Sequence, residues 1–281
     1  MKKHDVNFLL DHHLPVKKYV WVSDLHLDAA DEYKHHDFIR QVKQEDADAL
    51  LIGGDISNGV NSLVHLRHLA SLMKKPIYYV LGNHDYYYGS IEETRRKAYE
   101  ILEELPQLLF LTAMNPVALT EDTALLGDDG WSDAQAGDFL HSDIELNDYY
   151  FIHELKNLQP KERKQKLMEL GKKSADTIYK KLLLAFESFP QAVLLIHTPP
   201  FLEACLYKGK IADKNWAPHF VCQAVGDMLL KVMKRLPEKK LLVLCGHSHN
   251  MADVTILPNL RILAGHSDIG TPTVQGIIHV S

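Results

Sequence analysis

The stretch Tyr79-Val80-Leu81-Gly82-Asn83-His84-Asp85 decides how this chain reads. An apolar run from Ile77 to Leu81 is closed by a glycine and then by three polar side chains with metal or proton chemistry. This order marks a buried strand that delivers reactive groups at its carboxyl end, where open α/β sheets keep their sites. The same grammar occurs four more times. Tyr19-Val20-Trp21-Val22-Ser23 precedes Asp24-Leu25-His26, and Ala49-Leu50-Leu51-Ile52-Gly53 precedes Gly54-Asp55-Ile56-Ser57-Asn58. Later, Ala192-Val193-Leu194-Leu195-Ile196 precedes His197, and Leu241-Leu242-Val243-Leu244-Cys245 precedes Gly246-His247-Ser248-His249. Five strands are expected to empty into one site.

Helical stripes separate the first three runs. Phe38, Ile39 and Val42 form one; Leu63, Leu66, Leu69, Leu72 and Met73 form another, which Pro76 stops. Asp24, Asp55 and Asn83 follow one another at intervals of roughly thirty residues, the length of a strand-helix-strand unit, so parallel strands are predicted. A helix over about 90–105 and short apolar runs at Leu108 to Leu111, Pro116 to Leu119 and Ala124 to Leu126 come next.

From Trp131 to Phe189 the chain turns rich in charge and aromatics, with a long amphipathic helix around Pro160 to Phe186. This reads as a largely helical cap inserted at about 131–189 in a single domain spanning 1–281. Trp131, Asp133, Asp138, Tyr149, Tyr150 and His153 in that cap, and Tyr86-Tyr87-Tyr88 after His84, are placed either to shape specificity or simply to pack. The cap is expected to hold no metal ligand. His197-Thr198-Pro199-Pro200-Phe201 must be a loop. A helix over about 218–236 and β runs near Val254 to Leu257, Leu260 to Ala264 and Thr273 to Val280 complete the chain.

Composition bounds the partners. A chain of 281 residues with 46% hydrophobic and 24% charged residues can bury a large core. Its net charge of -6 provides no basic field for a nucleic-acid backbone, which argues against that partner. Cys205, Cys222 and Cys245 show no paired short spacing, as expected in a reducing compartment. No run approaches a membrane span, and Phe8-Leu9-Leu10 is too short an apolar core for a signal peptide, so a cytoplasmic protein with no membrane partner is expected. Oligomeric state has no signature. Most of the 17 histidines, among them His12-His13 and His35-His36, lie away from the strand ends and are not expected to be ligands.

The residue types at the strand ends suit a pair of divalent ions sharing one carboxylate. In Asp24-Leu25-His26 a period of two puts both side chains on one side of an extended segment, where they can grip one ion, and His247 and His249 share that spacing. Asp55, Asn83 and His197 arrive singly. Any one of these signals arises by chance. Five together lack a packing explanation, because polar groups at buried strand ends cost free energy unless something binds them.

These motifs, in this order from about Tyr19 to His249, resemble the calcineurin-like metallophosphoesterase superfamily. The resemblance implies a four-layer α/β/β/α sandwich of two mixed sheets, with the metal site at the strand carboxyl ends. It implies that Asp24, His26, Asp55 and His249 hold one ion and Asp55, Asn83, His197 and His247 the other, with Asp55 bridging. The two ions would be Mn, Fe, Zn, Co or Ni. The implied reaction is hydrolysis of a small phosphomonoester or phosphodiester by in-line attack of metal-activated hydroxide, with His84 as the acid at the leaving oxygen. Asn58 stands where many members have an aspartate orienting that imidazole, and Gly59 where the protein phosphatase branch has an arginine that clamps phosphate. His-x-Pro-Pro at His197 is similar to small-diester hydrolases of the superfamily. Two other readings keep the fold: a catalytically silent metal-binding scaffold, and a nuclease.

Overall fold

A strand such as Ala49–Gly53 is apolar at every position, which is satisfied only where both faces of a sheet are covered. The computed structural model describes residues 3–8 and 16–281, so His12 and His13 lie outside the described residues. In chain order the first half contains β1 (His4–Phe8), β2 (Lys17–Val22), α1 (Glu32–Gln44), β3 (Ala49–Gly53), α2 (Asn61–Met73), β4 (Ile77–Val80), α3 (Ile91–Glu104), β5 (Leu108–Phe110), β6 (Val117–Ala118) and β7 (Thr123–Asp128). The second contains α4 (Asp148–Phe151), α5 (Pro160–Ser188), β8 (Gln191–Ile196), β9 (Leu206–Tyr207), β10 (Lys210–Ile211), α6 (Gln223–Arg235), β11 (Lys240–Cys245), β12 (Ala252–Leu257), β13 (Leu260–Ala264) and β14 (Gly276–Val280).

Two six-stranded mixed sheets result, in the orders β1-β14-β2-β3-β4-β5 and β12-β13-β11-β8-β7-β6. Strands β2 to β5 run parallel, as do β7, β8, β11 and β13. Alternation along each strand sorts the side chains. Tyr19, Trp21 and Leu51 from one sheet meet Val193, Leu195, Leu242 and Leu244 from the other in a core between the sheets. Their neighbours Val20, Val22, Leu50 and Ile52 pack under α1 to α3, through Phe38, Leu66, Leu69 and Ile101. Leu194, Ile196 and Val243 pack under α5 and α6. The expected α/β/β/α sandwich is what the chain adopts.

Three local expectations differ. The arm before β2 contributes β1, an added strand paired in parallel with β14. The last long helix starts at Gln223 instead of about 218, because Pro218 sits in a short 3-10 turn at Ala217–His219. Most consequential is α5, which is part of the sandwich: Ile178, Leu182, Ala185 and Phe186 are buried in the core of the second sheet, and Leu167 and Leu170 in that of the first. An amphipathic stripe tells that a face is buried but not against what.

Candidate metal centre

All five strand-to-loop junctions meet at one edge of the sandwich. The chain turns there by a device that spacing does not reveal: Asp24, His26, Asp55, His247 and His249 all have left-handed backbones, with φ of 52°, 42°, 50°, 66° and 54°. For non-glycine residues this costs about 1–3 kcal/mol each and persists only where surrounding contacts enforce it. The extended segments expected at Asp24-Leu25-His26 and His247-Ser248-His249 are therefore absent. Asp24 and His26 nevertheless converge, in one group with Asp55 and His249, while His247 gathers with Asp55 and His197. Asp55 belongs to both groups. Glycines permit the crowding, since a Cβ on Gly82 would strike the Asp55 side chain and one on Gly246 the Asp24 carboxylate.

Hydrogen bonds lock the loops in register. His26 N donates to Asp55 O at 3.0 Å and Leu27 N to Ile56 O at 2.9 Å, so the first two loops run side by side. The buried Asp85 carboxylate accepts from Gly82 N, Ile56 N, Ser57 N and Ser62 Oγ, tying the second loop to the third. His247 N donates to Asp24 Oδ1 at 2.9 Å, and Ser23 Oγ to Asp24 Oδ2 at 2.6 Å. His197 Nδ1 lies 2.8 Å from Gly53 O, which leaves Nε2 facing Asp55 Oδ2 at 3.4 Å and Asn83 Oδ1 at 3.0 Å. Across the site His249 Nε2 is 3.3 Å from Asp24 Oδ1 and 3.2 Å from His26 Nε2.

Asp24 and Asp55 are buried, and among the described residues their ion-pair partners are histidines alone. Burial would lower the pKa of His197, but the charge and hydrogen bond of Asp55, with Asp24 behind, raise it to about 10. Burial, and then the charge of His197, push His247 down to about 3. Burial alone would raise both aspartates, yet the histidine charges and bonds hold both below the ordinary carboxylate range. The two carboxylates thus demand positive charge beside them. Two carboxylates, four imidazoles and an amide oxygen grouped around that demand form a donor set suited to divalent cations.

His84 stands beside these groups, its ring 4.6 Å from that of His26, edge to face, and 4.4 Å from that of Tyr87. Its backbone N donates to Asp55 Oδ1 and its Nδ1 lies 2.9 Å from Asn58 Oδ1. A cavity of about 310 Å³ opens on Asp55, Asn83, His84, His247 and His249.

The rest of the lining differs from expectation. Tyr87 reaches it, but Trp131, Asp133 and Tyr149 are buried elsewhere and Tyr150 and His153 are exposed outside it. The 131–189 segment supplies Leu146, Asn147 and Asp148 instead. Asp148 is buried, and its Oδ1 accepts from Asn83 Nδ2 and Tyr87 Oη, each at 2.8 Å. Neither ligand group draws a residue from this segment among the described residues, but through Asp148 the segment holds the Asn83 side chain in place. Tyr207, Trp216 and Phe220 form the opposite wall; Tyr207 and Trp216 stack at 4.4 Å, and Phe220 lies 4.8 Å from His247. Nothing in the spacing around β9 and β10 signals this wall. Trp216 stands amid charged and small residues with no periodic pattern.

His219 joins the two walls, its ring bonded to Tyr149 Oη and Ser142 Oγ. Burial lowers its pKa from 6.5 to about 4. The folded state keeps the ring neutral while the unfolded chain takes up a proton, so stability is intact above about pH 6.5 and declines as pH falls towards 4, by about 3 kcal/mol at most. The urea midpoint should fall across that window, and fall less in His219→Asn.

The fold and site define a two-sheet α/β protein with a candidate metal-ligand cluster at its strand ends. A family model described as calcineurin-like phosphoesterase matches residues 17–251, and the chain belongs to that family. Family members include phosphoesterases, which supports a hydrolase. The chain is 25% identical over 240 residues to an uncharacterized protein, L509, of Acanthamoeba polyphaga mimivirus, covering 82% of this chain and 83% of that one. Solved structures of similar fold include a phosphopantetheinyl hydrolase from Mycobacterium tuberculosis, with TM-score 0.63, 11% identity and 90% of each chain covered. A dimetal phosphatase from Danio rerio is also similar, with TM-score 0.59, 13% identity and 92% and 90% of the chains covered. At such identities the likeness to the solved structures is one of fold.

Proposed function

We propose that the chain hydrolyses small phosphoesters, diesters in preference to monoesters, with two divalent ions. The observation that carries this reading is Asp55, shared by two ligand groups beside a cavity that also presents His84. Asp24, His26, Asp55 and His249 would hold one ion; Asp55, Asn83, His197 and His247 the other. Manganese, iron, zinc, cobalt and nickel all suit these donors. Bound there, the ions would polarise phosphoryl oxygens and supply a nucleophilic water at neutral pH.

The chain's own groups divide the remaining work. His84 delivers a proton to the leaving oxygen, with Asn58 accepting from Nδ1 so that Nε2 exchanges the proton. Asp148 holds the Asn83 amide so that its carbonyl faces the ligand group, and steadies Tyr87 against the His84 ring. Among the described residues lining the cavity there is no lysine or arginine, which suits a singly charged diester better than a doubly charged monoester. The wall of Tyr207, Trp216 and Phe220 offers apolar rings to one ester group. Specificity on this reading resides in 139–155 and 205–220, within a single domain. The buried free thiols Cys205, Cys222 and Cys245 support a reducing, cytoplasmic setting.

The test is turnover by metal-reconstituted protein on phosphomonoesters, linear and cyclic diesters and nucleotide pyrophosphates. Turnover of diesters is expected, together with a higher KM in Trp216→Ala for diesters bearing a bulky ring; metal uptake with no turnover on any ester would leave the scaffold reading standing. Asp148→Ala should weaken metal retention about 10- to 100-fold, the usual cost of losing a partner that orients a ligand, measured by competition with a chelator.

A further inference from the structure

Asn58 stands between two partners. Its Oδ1 is 2.9 Å from His84 Nδ1, and its Nδ2 donates to Asp28 Oδ2 at 2.6 Å. The other Asp28 oxygen accepts from Ser57 Oγ at 3.0 Å. The pairing of His26 with Asp55 and of Leu27 with Ile56 carries the next residue, Asp28, alongside Ser57 and Asn58. An ionised carboxylate can only accept, so the NH2 end of the amide faces Asp28 and the carbonyl end faces the ring.

We infer that Asp28 is a positioning residue for His84: by holding Asn58 Nδ2 it keeps the amide carbonyl turned to His84 Nδ1, so that Nε2 is the nitrogen that meets the substrate. The inference rests on the hydrolysis proposed above. A carboxylate at position 58 would present an acceptor to the ring whichever way it turned, whereas an amide presents one only at its oxygen end. Turned over, Asn58 would set its NH2 against the Nδ1 hydrogen, and the ring would lose either that hydrogen or its orientation. Asp28 blocks this turn and polarises the amide, so that a residue with no charge passes on part of a neighbour's. Because Asp28 is exposed, solvent weakens its hold, and a modest rate effect is expected.

The decisive experiment is a double-mutant cycle on zinc-reconstituted protein. Asp28→Ala should lower kcat about 5- to 10-fold on an alkyl diester and less than about twofold on a nitrophenyl diester, whose leaving group needs no proton. In an Asn58→Asp background the same change should cost less than about twofold on either, since a carboxylate needs no turning. Equal losses in both backgrounds, or on both esters, would overturn the inference. A second readout does not depend on turnover. Nitrogen NMR of histidine-labelled protein, with His84 assigned by its loss in His84→Gln, should show a hydrogen on Nδ1 that becomes partial in Asp28→Ala; an unchanged ring would overturn the inference even in an active enzyme. Absence of turnover on every ester would instead count against the hydrolysis, leaving the ring measurement to decide on Asp28. Metal content monitors whether the loop that carries Asp24, His26 and Asp28 is intact, and if Asp28→Ala loses metal, Asp28→Asn takes its place with an expected loss of about two- to fivefold.

Discussion

Asp55→Asn is expected to abolish retention of both ions and to reduce turnover by about 10³-fold or more, the range for removing a shared metal ligand together with the electrostatic stabilisation it anchors. Asp55 is the only residue common to both ligand groups, and it is buried with no lysine or arginine beside it among the described residues. An amide in its place carries no charge and bridges poorly, so each ion loses a donor and the pair loses its link. By contrast, His26→Ala touches one group alone and should lower occupancy at one ion while the other persists. Metal stoichiometry by mass spectrometry after reconstitution and desalting separates the cases. A wild-type protein that takes up no divalent ion, or an Asp55→Asn variant that keeps two, would refute the shared-carboxylate reading.

His84→Ala should leave metal content close to that of the wild type and lower kcat about 10²- to 10⁴-fold on esters with alkoxide leaving groups, the usual contribution of a positioned general acid. The ring belongs to neither ligand group, and its contacts are with Asn58, Tyr87 and His26. For nitrophenyl esters the loss should shrink, since that leaving group departs without a proton. Equal losses on the two ester types would assign His84 to holding substrate instead of to proton transfer.

The sequence alone determined the five strands that carry the motifs, the order of those motifs and the set of polar residues delivered to one edge. Each of these is local. A strand covered on both faces must be apolar along its length, and the side chains after it stand where the sheet ends, so a few consecutive residues carry the whole signal. The tertiary structure decided the partnerships. Asp24 and His26 share one ligand group while His247 and His249, with the same spacing and the same left-handed backbone, part, so spacing does not encode which side chains meet. Asp148 is 65 residues from Asn83 and Asp28 is 30 from Asn58, and neither carries a mark that predicts the bond it makes. The same holds for α5, whose apolar face reads alike as the surface of a cap or as the floor of a layer until the second sheet is built beneath it. The physical reason is common to all three: backbone pattern is set by neighbours in sequence, while a hydrogen bond or a buried face is set by whatever the folded chain brings within reach.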